Sequence, residues 1–168
     1  MCIRDSFLGA KKSAAHWASY LVKQGNVDPK TSTQIGIRGN PRTLDWLQAS
    51  YDIGYQVITM EEYKELGHEK CSKMILDRLG DNPIYVTFDL DCLDTTVAPG
   101  TANLEPAFRG FNMDEARKLI QGLKGKNIIG GDVACLMPTK DNPNQITSMV
   151  AASIMFEIIC LISVYRNK

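Results

Sequence analysis

The sequence predicts an α/β fold, a parallel sheet with helices on both faces. Short apolar runs of strand length alternate along the chain with longer segments whose apolar residues recur at helical spacing. A length of 168 residues with 44% hydrophobic content is enough for one domain with a real core. The most apolar strand, "IYVTFDLD", ends in aspartates, at the carboxyl end of a parallel strand where ligands of such sheets bind.

The elements follow in order. Residues 11–25 have helical spacing, and Gly25 with "NVDP" stops that helix. "TQIGIRG" is a short strand ending in glycine, "NPRTLDWLQASYD" a helix with Pro41 near its first turn, and "YQVITM" a second strand. Residues 61–79 form a charged amphipathic helix, and "IYVTFDLD" is the third strand. Asn112 caps the next helix, with Asp114 and Glu115 in its first turn where they suit the helix dipole; it runs to about Leu123. "KNIIGGDVACLM" supplies a fourth strand, and a long helix closes the chain.

Charge excludes one class of partner. Nineteen Lys and Arg balance nineteen Asp and Glu, so no basic field attracts a phosphate backbone, and nucleic acid is not expected as a partner. Five scattered cysteines without a Cys-x-x-Cys pair argue against a disulfide framework or zinc knuckle and for a reducing cytoplasm. "MCIRDS" is what one frame of a widely used sequencing-adapter end translates to. Residues 1–6 are therefore expected to be an artefact, and residues 7–168 the carboxyl-terminal part of a single domain whose amino-terminal part is missing. Residues 146–165 are long enough to cross a bilayer, but Glu157 lies well inside them and no second span shelters it. A helix buried on most sides of a soluble domain is expected instead, with no membrane partner.

Asp89 and Asp91 alternate with Leu90, which puts both carboxylates on one side at the end of strand three. Two carboxylates this close repel unless a proton or cation lies between them, and hard divalent ions such as Mn²⁺ or Mg²⁺ take such oxygens. Solvated loop acids are the bland alternative. Neither an EF-hand nor an Asp-x-Asp-x-Thr phosphoryl-transfer loop fits, since Asp94 stands where the first needs glycine and Leu93 where the second needs threonine.

"TFDLDCLDTTVAPGTANLEP" resembles the ureohydrolase signature of arginases and agmatinases, Asp-x-Asp-x-x-Asp-Pro followed by Pro-Gly-Thr and Glu-Pro. "GGDVACLMPTKD" is similar to the family's later strand, and "VDPKTSTQIGIRG" to its agmatinase branch. The resemblance implies a three-layer α/β/α fold and a two-Mn²⁺ centre whose bridging hydroxide attacks the guanidinium carbon of a small substrate, releasing urea and an amine. By position it implies that Asp89 bridges the metals, Asp91 binds one of them, and Asp94 and Asp132 support the ligands from outside. His16 would match the histidine that carries a proton to the leaving amine, whereas His68 is expected at the surface. Homo-oligomers, trimers or hexamers, go with the family.

Several positions depart from the pattern. Four of the family's six metal-binding side chains belong to Gly-Gly-Asp-His and Asp-Ala-His-x-Asp segments, and neither histidine of this chain sits in one. Cys135 stands where the family places a guanidinium-binding glutamate, so the substrate contact falls on a thiol, or on a cysteine that only packs. Thr95 replaces a proline, and Ala107–Phe108 a glycine pair. An agmatinase-like amidinohydrolase, inactive as this chain alone, is the first expectation. A non-catalytic ureohydrolase-like subunit and a Mg²⁺-dependent α/β phosphotransfer enzyme are the alternatives.

Overall fold

All four expected strands form, and among the described residues both strand pairs are parallel. The computed structural model describes residues 16–40, 44–105 and 109–167; residues 1–6, the expected helix start at Lys11, Pro41 and Ala107–Phe108 fall outside these. β1 (Thr33–Ile37) pairs with β2 (Gln56–Thr59), and β3 (Ile84–Asp89) with β4 (Ile128–Ala134). The sequence predicts one continuous sheet, but among the described residues these are two separate two-stranded ladders. Alternation with helices fixes strand direction and leaves open which strands are neighbours.

The helices are α1 (Trp17–Lys23), α2 (Gln48–Ile53), α3 (Met60–Leu66), α4 (His68–Leu79), α5 (Met113–Gln121) and α6 (Ile146–Arg166). The single helix expected over 61–79 is broken at Gly67, whose φ of +81° and ψ of +162° no helix accommodates and glycine tolerates. Thr59 opens α3 and Asn112 opens α5 with reciprocal capping boxes to Glu62 and Glu115, so two amides at each start find side-chain acceptors.

The core lies between the strands and α3 to α6. Ile84, Ile128, Leu90, Leu93, Ile154 and Ile158 are buried in it, each contributing about 1.5–3 kcal/mol by leaving water. Phe111 meets the Tyr63 ring edge-on at 4.8 Å. The other side of the β3–β4 ladder is open among the described residues, with Tyr85 57% and Ile129 58% exposed. Cover on both faces is therefore not complete in the described part.

α6 corrects the expectation of a helix buried on most sides. Thr147, Val150, Ile154, Ile158 and Leu161 are buried, while Met149, Phe156 and Ile159 are exposed. The helix is long and apolar enough to cross a membrane, yet it packs on β4 and α5. Glu157 accepts both hydrogen bonds of the Gln121 amide on α5, at 3.0 and 3.1 Å, which gives the acid a partner inside the apolar run.

Asp141 anchors the start of α6. Its Oδ1 accepts from the amides of Asn142 and Thr147, and its Oδ2 from the amide and hydroxyl of Ser148, all at 2.9–3.1 Å. Desolvation pushes its pKa up, but the amides of Ser148 and Thr147 and their hydroxyls outweigh it and hold the carboxyl at about 2, below the ordinary 3.8. A folded-state value below the unfolded one stabilises fully above 3.8 and is lost as pH falls through about 2. Asp141→Asn, which mimics the protonated acid, is therefore expected to be less stable than the parent at neutral pH, with the gap closing toward pH 2. Denaturant midpoints across that range check this; a gap independent of pH would refute it.

Candidate metal centre

β3 ends at Asp89, two residues short of Asp91, so strand alternation does not reach the second carboxylate. The two carboxylates converge by another route. Asp89 Oδ1 accepts the Asp91 amide at 2.9 Å and caps a single 3₁₀ turn, Leu90–Cys92, which swings Asp91 round. Asn103 then holds the Asp91 carboxylate on both oxygens, through its amide N–H to Oδ1 at 3.1 Å and its Nδ2 to Oδ2 at 2.8 Å.

The third member comes from the neighbouring strand. Asp89 is in register with Ala134, and Cys135 follows directly, with φ of +68°. The Cys135 carbonyl accepts the Ala102 amide at 3.1 Å, and Met137 donates to the Gly100 carbonyl at 2.8 Å. Gly100 in turn donates to Thr147 Oγ1 at 2.8 Å, so the Pro-Gly-Thr turn is stapled to both the end of β4 and the start of α6. The result is one group: ligand atoms of Asp89, Asp91 and Cys135 all lie within 4.8 Å of one another, each residue half-buried. Burial first, then the Asp89 charge and the hydrogen bond it accepts, then Asp91, push the Cys135 thiol up to about 12.

Arg38 and Asn103 are parts of the site that sequence reasoning passed over. From just beyond β1, Arg38 donates Nε to the Asp91 carbonyl at 3.0 Å, Nη2 to Leu93 at 2.6 Å and Nη1 to Glu105 at 2.8 Å. One guanidinium therefore clamps three carbonyls on two stretches of loop backbone. Its only trace in the sequence is a cation at the carboxyl end of a strand.

The other expected residues are placed as follows. Asp94 knits the loop, accepting Thr96 Oγ1 at 2.6 Å and its amide at 3.0 Å on one oxygen and Gly110 N–H at 3.2 Å on the other. The Thr96 hydroxyl and amide outweigh desolvation and lower its pKa. Asp132 lies two residues before Ala134, in register with Thr87, whose Oγ1 donates to it at 2.9 Å; it is not in the group with Asp89 and Asp91. His16 is 1% exposed at the start of α1, with both ring nitrogens unpartnered, and is likewise outside the group. His68 bridges α3 and α4, its Nδ1 3.3 Å from the Tyr63 hydroxyl and Nε2 3.3 Å from the Ser72 hydroxyl, so it is half-buried and not a free surface residue.

Two carboxylates and a thiol converging from two adjacent strands are a donor set that suits a divalent cation, and each carboxylate keeps lone pairs beyond those its neighbours occupy. They make up part of a coordination sphere.

Comparison with known proteins gives the same direction. The arginase family model matches residues 3–161. Guanidinopropionase of Pseudomonas aeruginosa is 37% identical over 142 residues, 84% of this chain and 44% of that protein. An agmatinase of Escherichia coli is 36% identical over 137 residues, 82% of this chain and 41% of the relative. Among solved structures, proclavaminate amidino hydrolase from Streptomyces clavuligerus superposes with a TM-score of 0.85 at 28% identity, over 97% of this chain and 52% of that one. A hypothetical agmatinase from Burkholderia thailandensis gives 0.77 at 32%, over 92% and 45%. The chain thus spans less than half the length of the two curated relatives, and it shares its α/β fold with the two solved structures. With most of its length matched by the family model, this chain belongs to the arginase family.

Proposed function

We propose that the whole protein is an agmatinase-like amidinohydrolase that cleaves a C–N bond of a small guanidino compound and releases urea and an amine. The carrying observation is the convergence of the Asp89 and Asp91 carboxylates at the end of β3, on a chain of the arginase family. Two divalent metal ions are the proposed cofactors, Mn²⁺ by resemblance to the family; when bound, such ions acidify water enough to give a nucleophile near neutral pH.

The residues of this chain divide the remaining work. Asp89 and Asp91 hold the cation, Asn103 fixes the angle of the second carboxylate, and Arg38 keeps the loop from relaxing away. Asp94 and Asp132 steady the surrounding loop and strand. His16, whose ring nitrogens have no hydrogen-bond partner among the described residues, is assigned the proton that the leaving amine needs. A cytoplasmic homo-oligomer completes the reading.

A second reading, a subunit that has given up catalysis, is favoured by Cys135, which cannot offer a guanidinium the paired charged hydrogen bonds of a glutamate. Urea release from agmatine, guanidinopropionate, guanidinobutyrate and arginine by the Mn²⁺-loaded full-length protein separates the two. Turnover of one substrate at least about 100-fold above the others supports the enzyme. Bound metal with no urea from any of them would leave the non-catalytic subunit.

A further inference from the structure

We propose that Cys135 is a metal ligand, so that the centre is a mixed oxygen and sulfur site that takes a thiophilic divalent ion such as Zn²⁺ or Co²⁺ in preference to Mn²⁺. The inference rests on the reading that Asp89 and Asp91 bind metal, and it adds a donor that a site built of carboxylates and imidazoles lacks.

Position carries the argument. β3 and β4 are parallel neighbours, and the register that sets Asp89 opposite Ala134 brings Cys135 alongside the turn that carries Asp91. Three donors from the ends of the two strands and the turn after β3 then lie within 4.8 Å of one another, near the largest separation of two ligands on one small cation. The surroundings of this cysteine differ from those of a packing thiol. Cys71 is fully buried among apolar side chains of the core, whereas Cys135 is half-buried and faces two carboxylates. A sulfur there faces the same space as the two carboxylates.

The chemistry decides which cation. Zinc is bound by cysteine sulfur together with carboxylate oxygen, and Mn²⁺ lies at the weak end of the divalent series with a preference for oxygen. As the sulfur–metal bond forms, the S–H bond breaks and its proton leaves to solvent; no oxidation is involved. A site with sulfur in its first layer therefore ranks Zn²⁺ and Co²⁺ above Mn²⁺ more steeply than one made of oxygens and imidazoles.

The test uses metal-free full-length protein titrated with Co²⁺, which reports thiolate ligation by a near-ultraviolet charge-transfer band and overall binding by its weaker visible bands. The expected result is a charge-transfer band that saturates with the visible bands, disappears in Cys135→Ser and survives in Cys160→Ser. In competition, Cys135→Ser is expected to shift the Zn²⁺-to-Mn²⁺ preference toward Mn²⁺ by roughly tenfold or more. Visible bands without a charge-transfer band, or a charge-transfer band that persists in Cys135→Ser, would overturn the ligand role while leaving metal binding by the aspartates intact. Failure of the protein to bind Co²⁺, Zn²⁺ or Mn²⁺ at all would overturn both this inference and the metal-dependent function.

Discussion

Asp89→Asn and Asp89→Ala are each expected to lose bound metal and urea production together, with divalent affinity falling by at least about 100-fold, since even residues behind a ligand cost 10- to 100-fold. Two roles of Asp89 have to be told apart. Its Oδ1 caps the 3₁₀ turn by accepting the Asp91 amide, and its charge pairs with Asp91 across the space between them. Asparagine keeps an oxygen acceptor at that place and removes the charge. Alanine removes both, and the lost cap costs a further ~1 kcal/mol. The asparagine variant should therefore unfold at nearly the same denaturant concentration as the parent while failing to retain metal, and the alanine variant should fail on both counts. Elemental analysis of purified protein beside a denaturation curve reads the two effects separately. Metal content unchanged in Asp89→Asn would remove Asp89 from the centre and with it the proposed function.

How much of this was legible in the sequence depended on the kind of interaction. β3 was legible as a short apolar run of strand length, although its Tyr85 side is open among the described residues, and α5 because a capping box has a fixed spacing, Asn112 to Glu115. The pairing of Asp89 with Asp91 was legible too, but for the wrong local reason. Strand alternation predicts it, while the structure achieves it by ending the strand and turning once.

Other features leave no such mark. Arg38 binds carbonyls of Asp91, Leu93 and Glu105, and a backbone carbonyl is the same acceptor whatever residue carries it, so nothing in the acceptors' sequence points back to the cation. The break at Gly67 is hidden because a glycine inside a helix costs only about 1 kcal/mol and is often tolerated. α6 carries only two charged residues, Glu157 and Arg166, to mark its solvent side, so periodicity shows neither that one stripe is covered nor that Met149, Phe156 and Ile159 are not. Strand order is absent from the sequence of any one strand, which is why two ladders stand where one sheet was expected. Cys135 was located from the family motif alone, and only the register of β3 with β4 shows that its sulfur meets the aspartates.

Gly110→Ala is expected to destabilise the protein by about 3 kcal/mol or more, the upper end for overpacking in a core. A Cβ at this position would lie 2.6 Å from Asp94 Cα and closer still to the Asp94 amide nitrogen and the Leu93 carbonyl carbon. All three are backbone atoms, so no side-chain rotation relieves the clash. The segments have to part, and what holds them gives way in order. Gly110 N–H loses Asp94 Oδ2, the Asp94 amide loses the Phe111 carbonyl, and the Phe111 amide loses the Cys92 carbonyl. Phe111, 2% exposed and edge-on to Tyr63, is then drawn from its seat, and the turn that presents Asp91 loses its floor. Gly130→Ala is the control, because the atoms its Cβ would meet, at 3.1–3.3 Å, belong to the ring of the exposed Tyr85, which can move aside. Its expected cost is below about 1 kcal/mol. Denaturant midpoints of the two variants check the contrast, and metal affinity should fall only in the first. Equal, small losses at both positions would mean that the close contact between residues 93–94 and 110–111 does not hold the carboxylates in place.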